Sequence, residues 1–214
     1  MKEDGAATDR VVRHVLPARM LHWLMALSVI ILMLTAFLPL FGVRFAWVTI
    51  HWSTGLVLTV AVIIHILWSV VSWKRFRQML FWLRDIKDTI NILGWFFHLR
   101  KQAPPKTGKY SPAQKLIHHC FALVVLSSVV TGLLMMVKVD TPLWKRDPYW
   151  LSADAWGVIY VIHDAASMIL VTMIMLHIYF AVRPEKRLYL RSMINGVITR
   201  EEFAKNHDPD KWKQ

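Results

Sequence analysis

WGVIYVIHDAASMILVTMIMLHIYFAV, residues 156–182, is a nearly unbroken apolar run that carries two histidines fourteen residues apart. At about 1.5 Å per residue, a helix of this run is roughly 40 Å long, which exceeds the ~30 Å hydrocarbon core of a bilayer. The run therefore predicts a membrane-spanning helix. Its histidines, His163 and His177, lie about 21 Å apart along the axis and within roughly 40° of each other around it. Because imidazoles in hydrocarbon are costly without partners, this geometry indicates two stacked metal sites.

The composition of the chain is that of a membrane protein. The 214 residues are 56% hydrophobic with a mean hydropathy of +0.39, whereas soluble domains are about 45–50% apolar. The net charge of +12 comes from basic residues between and after the apolar runs, a pattern that orients a membrane protein and does not indicate nucleic acid as a partner. A single cysteine, Cys120, excludes an internal disulfide and a cysteine-held iron–sulfur cluster. Any redox cofactor is therefore expected to be held by histidine.

Four stretches are long and apolar enough to cross a bilayer. The predicted fold is all-α, an integral membrane four-helix bundle that makes one transmembrane domain over residues 1–214. The predicted spans are at about 20–43, 45–73, 116–137 and 155–182. Residues 1–19 lack the small-residue cleavage site of a signal peptide, so the first span is expected to be retained.

The charge distribution predicts the topology. Residues 74–115 contain ten Lys or Arg against two acids, and residues 183–214 contain eight against five. Basic loops remain in the cytoplasm, so both termini are predicted to be cytoplasmic in a multi-pass protein of the bacterial cytoplasmic (inner) membrane. Residues 78–99 are apolar but carry charges in their middle, which predicts an amphipathic helix on the inner lipid surface.

Four histidines sort into two depths. His51 opens the second span at the outer end and pairs in depth with His163, while His22 opens the first span at the inner end and pairs with His177. Haem b takes two axial ligands from opposite sides, and helical bundles build such sites from facing helices. The pairs therefore predict two haem b groups, one outer and one inner.

The ligand assignment has alternatives within the sequence. Each of the four histidines is followed four residues later by a small residue that leaves room for a flat ring: Ala26, Gly55, Ser167 and Ala181. Each histidine alone also fits a packing residue, and His65 reaches the inner depth and competes with His22. Asp164 is expected to orient a ligand or to contact a partner. Other histidines are predicted to be solvated (His14, His98, His207) or to lie at the surface or a quinone site (His118, His119).

Several motifs resemble the di-haem cytochrome b (gamma) subunit of membrane-bound formate dehydrogenases. They are RMLHW at 19–23, TIHWSTG at 49–55, GKYSPAQK at 108–115, VIHDAAS at 161–167, MLHIYFA at 175–181 and the tail RSMINGVITREEFAKNHDP. The resemblance covers nearly the whole chain. It implies two b haems, a quinone (menaquinone or ubiquinone) reduced near the inner haem, and partners that are an iron–sulfur subunit and a catalytic dehydrogenase subunit. By motif position it implies His51 and His163 as outer ligands and His22 and His177 as inner ligands.

The GKYSPAQK stretch matches a family segment close to the quinone pocket. Tyr110, Ser111 and Gln114 offer hydroxyl and amide groups to a quinone oxygen, although the family often shows Asn where this chain has Ser111. The alternative is that Ser111 caps a helix with Pro112 at its first position.

No nucleotide-binding loop or dehydrogenase signature is present, so the chain is predicted to conduct electrons and not to oxidise an organic substrate itself. The quinone would be reduced on this chain as part of an oxidoreductase complex. Two alternatives remain open at this point. One is the cytochrome b anchor of a hydrogenase or a sulfur-compound reductase, and the other is a histidine-lined proton or metal transporter.

Overall fold

The computed structural model describes residues 9–102, 106–142 and 144–212. Residues 1–8, the start of the segment where no cleavage site was found, lie outside this part. In chain order the elements are β1 (Arg10–Val12), α1 (Leu16–Phe37), α2 (Trp47–Val71), α3 (Trp73–Met79), α4 (Leu83–Phe96), α5 (Pro112–Met135), α6 (Ala153–Val182), α7 (Arg187–Asn195), β2 (Val197–Thr199) and α8 (Arg200–Asn206). Short 3-10 turns follow α1, α5 and α6 at Leu38–Phe41, Met136–Lys138 and Pro184–Lys186.

Four helical segments are long and apolar enough to cross a membrane: Leu16–Phe41, Trp47–Val71, Pro112–Lys138 and Ala153–Val182. The predicted all-α membrane bundle is thereby confirmed. The first segment begins four residues before its predicted start, because Pro17 lies in the first helical turn, where a backbone N–H is not needed. It ends at Gly42, whose φ of +82° allows its N–H to close the last turn on the Leu38 and Pro39 carbonyls.

Residues 20–67 and 120–179 form one compact unit, which contains most of the four spans. Its apolar core is small: Val29 of α1, Leu58 and Val62 of α2 and Leu170 of α6 pack together, and Phe121 of α5 lies against them. Many other large apolar side chains of these helices are exposed, which is the expected pattern where lipid tails replace water.

Residues 9–19, 68–119 and 180–212 form the second compact unit. Here β1 pairs antiparallel with β2, with Val11 opposite Ile198. Trp212 packs with these two residues, and Phe203 of α8 covers them. A two-stranded antiparallel ladder therefore joins residues 10–12 to residues 197–199. The sequence patterns did not predict this pairing.

The predicted amphipathic helix over 78–99 is shorter in the structure. Helix α3 ends at Met79, and a new helix, α4, begins at Leu83 because the Asp85 carboxylate accepts the Trp82 N–H at 2.7 Å and caps it. On α4, Ile86, Ile90 and Leu93 are exposed along one face. Asp85, about 100° around the helix from Ile86, is buried and forms an ion pair with Lys115 of α5.

Candidate functional site

The two depth-matched histidine pairs are both brought together in the first unit. In the upper pair, defined as His51 of α2 and His163 of α6, the ring centroids are 6.4 Å apart. In the lower pair, defined as His22 of α1 and His177 of α6, the centroids are also 6.4 Å apart. The fourteen-residue spacing on α6 therefore presents one imidazole to α2 and the other to α1.

Each ring of the upper pair is held by a threonine from a neighbouring helix. The Oγ1 of Thr35, on α1, lies 2.8 Å from His51 Nδ1. The Oγ1 of Thr131, on α5, lies 2.8 Å from His163 Nδ1. Both threonines are buried, at 3% and 5% exposure, so water does not compete for these contacts. All four spanning helices thus contribute a side chain at this depth.

The hydroxyl protons of both threonines are directed to backbone carbonyls. Thr35 Oγ1 is 2.9 Å from the carbonyl oxygens of Ile31 and Leu32, and Thr131 Oγ1 is 2.6 Å from that of Ser127. Because a hydroxyl has one proton, its oxygen accepts from the imidazole, which places the ring proton on Nδ1. The lone pair of each neutral ring is then on Nε2, the state in which histidine binds a metal.

The lower pair has different surroundings. The Phe121 ring meets His177 edge-on at 5.7 Å, and the Trp23 ring meets His22 edge-on at 5.3 Å. Among the described residues, neither His22 nor His177 forms a side-chain hydrogen bond. His65 is near enough to interact electrostatically with His22, so it remains a neighbour of this pair.

The spacing of both pairs suits two axial imidazoles on one iron. A metal–nitrogen bond of about 2.0–2.1 Å and a ring centre about 1.1 Å behind the nitrogen place two opposed ring centres roughly 6.3 Å apart. The observed separation is 6.4 Å in each pair. Two imidazoles on facing helices are also a ligand set that haem b takes in helical bundles, so the residues fit the group.

Glycines border the upper pair on two helices. A Cβ at Gly132 of α5 would meet His163 Cε1 at 3.4 Å, so the ring lies close against that backbone. A Cβ at Gly55, four residues after His51, would meet only Leu32 Cδ2 at 4.0 Å, which leaves room on this face for the edge of a flat group. Ser167, the equivalent small residue after His163, donates its hydroxyl to the His163 carbonyl at 2.8 Å.

Asp164 is exposed on the surface of α6. Within the described ranges Asp164 forms no hydrogen bond. The structure therefore does not support the first of its two expected roles, which was to orient a ligand. The other expected role, contact with a partner, stays a prediction.

The quinone candidates lie in the second unit, at the start of α5. The Ser111 N–H donates to Gln114 Oε1 at 2.9 Å, and the Gln114 N–H donates to Ser111 Oγ at 3.2 Å. This reciprocal pair is a capping box, which confirms the helix-capping alternative for Ser111. The Gln114 amide nitrogen is not used by the box. Tyr110 lies beside the Arg13 guanidinium, 5.9 Å from its carbon to the ring centroid.

The prediction that His207 is solvated is wrong. His207 is 1% exposed, and its Nδ1–H donates to the Gly108 carbonyl at 2.8 Å. Its Nε2 accepts from the buried Arg13 guanidinium at 2.8 Å. Burial lowers the pKa of His207 below its usual value, and burial also lowers the pKa of Arg13. Residues nearly two hundred positions apart thus form the polar centre of the second unit, which no local pattern indicates.

Comparison with known proteins gives one family. The profile of the family described as Prokaryotic cytochrome b561 matches residues 13–196. A formate dehydrogenase cytochrome b556 subunit of Haemophilus influenzae is 26% identical over 95% of this chain and 82% of the relative. The cytochrome b556(fdo) subunit of an Escherichia coli formate dehydrogenase is 26% identical over 95% and 92%. A probable Ni/Fe-hydrogenase B-type cytochrome subunit of Bradyrhizobium diazoefficiens is 28% identical over 84% and 82%.

Proposed function

The chain belongs to the prokaryotic cytochrome b561 family, and from this we propose that it is the membrane electron-transfer subunit of a formate dehydrogenase complex, with one haem b between His51 and His163 and a second between His22 and His177. The family and the four apolar helices make it a multi-pass b-type cytochrome of the bacterial inner membrane. The resemblance read from the sequence motifs is thereby confirmed at the level of the family. The single observation that supports the ligand assignment is the 6.4 Å separation of the rings in both pairs.

Haem b, when bound, takes up and releases one electron at its iron. The residues of this chain would supply four imidazole rings on rigid helices, and the hydroxyls of Thr35 and Thr131 hold the rings of His51 and His163 in the tautomer that leaves Nε2 free for a metal. The apolar core of Val29, Leu58 and Leu170 keeps water away from the helix faces between the two depths. The protein therefore sets ligand orientation and local dielectric, and the cofactor supplies the redox change.

The proposed direction of electron flow follows from the charge distribution. The basic segments support an orientation with the lower pair near the cytoplasm and the upper pair near the outer face. Electrons would enter from an iron–sulfur subunit docked outside, next to a catalytic dehydrogenase subunit, and leave to menaquinone or ubiquinone on the cytoplasmic side. A reporter active only outside the cytoplasm should be silent when fused within 74–115 and active when fused near Asp147. The opposite pattern would reverse the proposed direction.

Haem content per polypeptide tests the ligand assignment. His51→Ala and His163→Ala should each leave one haem per chain and lose the same one, because the two rings share one iron. His22→Ala and His177→Ala should each lose the other. His65→Ala is the matched control from the same membrane region and should keep both. If His65→Ala loses a haem while His22→Ala keeps both, the lower assignment passes to His65.

The quinone site is proposed at the start of α5, where the Gln114 amide nitrogen donates no hydrogen bond to the described residues. Gln114→Glu keeps the side-chain oxygen that accepts the Ser111 N–H, so the capping box survives while the NH₂ donor is lost. We expect both haems to be bound and reducible, with slower reoxidation by quinone. Ser111→Ala removes the other candidate quinone contact together with the helix cap, and haem content per polypeptide is the control for folding in both variants. Wild-type reoxidation in both Gln114→Glu and Ser111→Ala would move the site toward His118 or His65.

A hydrogenase is the second candidate for the catalytic partner, because several relatives are named as Ni/Fe-hydrogenase cytochrome subunits at similar identity. Purification of the native complex through a tag on this chain separates the two. Formate-dependent reduction of the haems supports the first candidate, and hydrogen-dependent reduction supports the second.

A further inference from the structure

The two histidine pairs have the same 6.4 Å ring separation but differ in the hydrogen bonds of their imidazoles. Both rings of the upper pair donate Nδ1–H to a buried threonine hydroxyl, whereas neither ring of the lower pair has a side-chain hydrogen bond within the described residues. We propose that Thr35 and Thr131 are positioning residues that lower the reduction potential of the upper haem relative to the lower one, and so bias electrons toward the lower pair. This inference rests on the ligand assignment of the proposed function.

The physical basis is the basicity of the ligands. A hydrogen bond from Nδ1–H raises the electron density of the imidazole and makes Nε2 a stronger donor. A stronger donor stabilises the more positive oxidised iron more than the reduced iron, which lowers the potential. Two such bonds act on the same iron in the upper site. Both lie in a region from which water is excluded, so the dipoles are not screened.

Each threonine hydroxyl is a stronger hydrogen-bond acceptor because it donates its own proton to a backbone carbonyl. Thr35 Oγ1 and Thr131 Oγ1 each give their proton to a carbonyl one helical turn back, at 2.9 Å and 2.6 Å. Hydrogen bonds in a chain polarise one another, so each oxygen is a better acceptor than an isolated hydroxyl. The carbonyls also hold the oxygen in place, which fixes the plane of the ring as well as its tautomer.

The two threonines come from the helices that carry no ligand at this depth, α1 and α5. Each therefore links a ligand helix to a neighbouring helix. A role in helix packing alone would also require a side chain of this shape at each position. The two roles differ in their readout, because packing depends on the methyl groups and the potential depends on the hydroxyl. Thr→Val retains the shape and removes the hydroxyl, and Thr→Ser does the reverse.

The experiment is a redox titration of both haems, followed by their optical spectra, in membranes that contain the full complex. In Thr35→Val and in Thr131→Val, the midpoint of one and the same haem should rise while the other stays. At a fixed potential, the ratio of oxidised to reduced upper haem should fall about tenfold, which corresponds to about 59 mV for a one-electron couple. A factor of this size is the lower end of the change in metal affinity or activity when a partner of a metal-bound histidine is removed. Thr35→Ser and Thr131→Ser should titrate as the unmodified protein.

Thr59→Val is the matched control. Thr59 lies on α2, two turns after His51, and its hydroxyl donates to the Gly55 carbonyl at 2.7 Å in the same way, but among the described residues no hydrogen bond joins it to an imidazole. It should leave both midpoints unchanged. A shift in Thr59→Val equal to that in Thr35→Val would overturn the inference, because the effect would then belong to any threonine hydroxyl in the bundle.

Other outcomes also decide the question. Unchanged midpoints in both Val variants with both haems bound, or a shift of the lower haem instead, overturn the inference and leave the ligand assignment standing. Loss of the upper haem in both Val variants shows that the hydroxyls retain the cofactor and do not tune it, which overturns the inference as stated. Two haems in both His51→Ala and His163→Ala overturn the ligand assignment itself, and the inference with it.

Discussion

Replacing Lys115 by methionine is expected to release α4 from the start of α5. The Lys115 Nζ lies 2.9 Å and 3.0 Å from the two carboxylate oxygens of Asp85, and the two side chains are 7% and 6% exposed. The pair joins the amphipathic helix to the turn that carries Ser111 and Gln114. Loss of the pair should therefore loosen the proposed quinone segment as well as the helix.

The magnitude follows from burial. Removing one partner of a buried ion pair leaves an uncompensated charge and costs about 3–5 kcal/mol. In Lys115→Met the Asp85 carboxylate keeps the Trp82 N–H and the N-terminal end of α4, so we expect the lower end, about 3 kcal/mol. In Asp85→Asn the ammonium loses both carboxylate contacts, so we expect a value near the upper end. The double variant, with no buried charge, should cost less than the sum.

Hydrogen exchange of the peptide 83–96 in lipid nanodiscs measures this local opening. At about 1.4 kcal/mol for each tenfold change, a loss of 3 kcal/mol speeds exchange roughly 100-fold wherever the helix recloses faster than the labelling reaction. The control is Glu185→Gln, which removes the exposed pair with Arg183, because solvated surface pairs contribute little. Exchange at the unmodified rate in Lys115→Met, or full additivity in the double variant, would refute the reasoning.

Two further predictions concern the second unit. Burial lowers the pKa of His207, so its contribution to stability should be complete above about pH 6.5 and should fall as the pH drops below that value. Protonation would set an Nε2–H against the Arg13 guanidinium, and limited proteolysis of the tail at pH 7.5 and 5.5 should show the loss, which His207→Gln should flatten. Gly196→Ala should destabilise the same unit by about 2 kcal/mol or more, because Gly196 has φ +88° and a Cβ there would lie 2.8 Å from the His14 carbonyl oxygen. Proteolysis measures this change too, and Gly157→Ala on α6, where a Cβ meets nothing within 4 Å, should have no such effect.

The spans and the histidine pairs could be predicted because helix geometry makes both nearly deterministic. An apolar run of bilayer length has one stable conformation in lipid, and fourteen residues bring a helix back to nearly the same face. Depth then follows from position within the span. His51 and His163, and His22 and His177, could be matched without knowing how the helices pack.

The threonines at the upper pair could not be found in the same way. Thr35 and Thr131 lie on helices without a ligand at that depth, and their role depends on how α1 and α5 are rotated about their axes. A threonine inside a span usually bonds its own helix carbonyl, as Thr59 does. The sequence therefore offers no sign that two of these hydroxyls also accept from an imidazole.

The basic residues of this chain serve both to orient it in the membrane and to pack the second unit, and only the first function can be predicted from the distribution of charge along the sequence. The positive-inside pattern depends on the number of basic residues near a span and is indifferent to which of them are exposed. The structure withdraws two of them, Arg13 and Lys115, from solvent and makes them partners of His207 and Asp85. Buried cations need specific acceptors, so these two positions should tolerate substitution far less than the other basic residues that set topology. Basic residues in this chain therefore have two functions. Their number near the spans predicts the orientation and can be read from the sequence, whereas the burial of Arg13 and Lys115 in the second unit can be seen only in the folded structure.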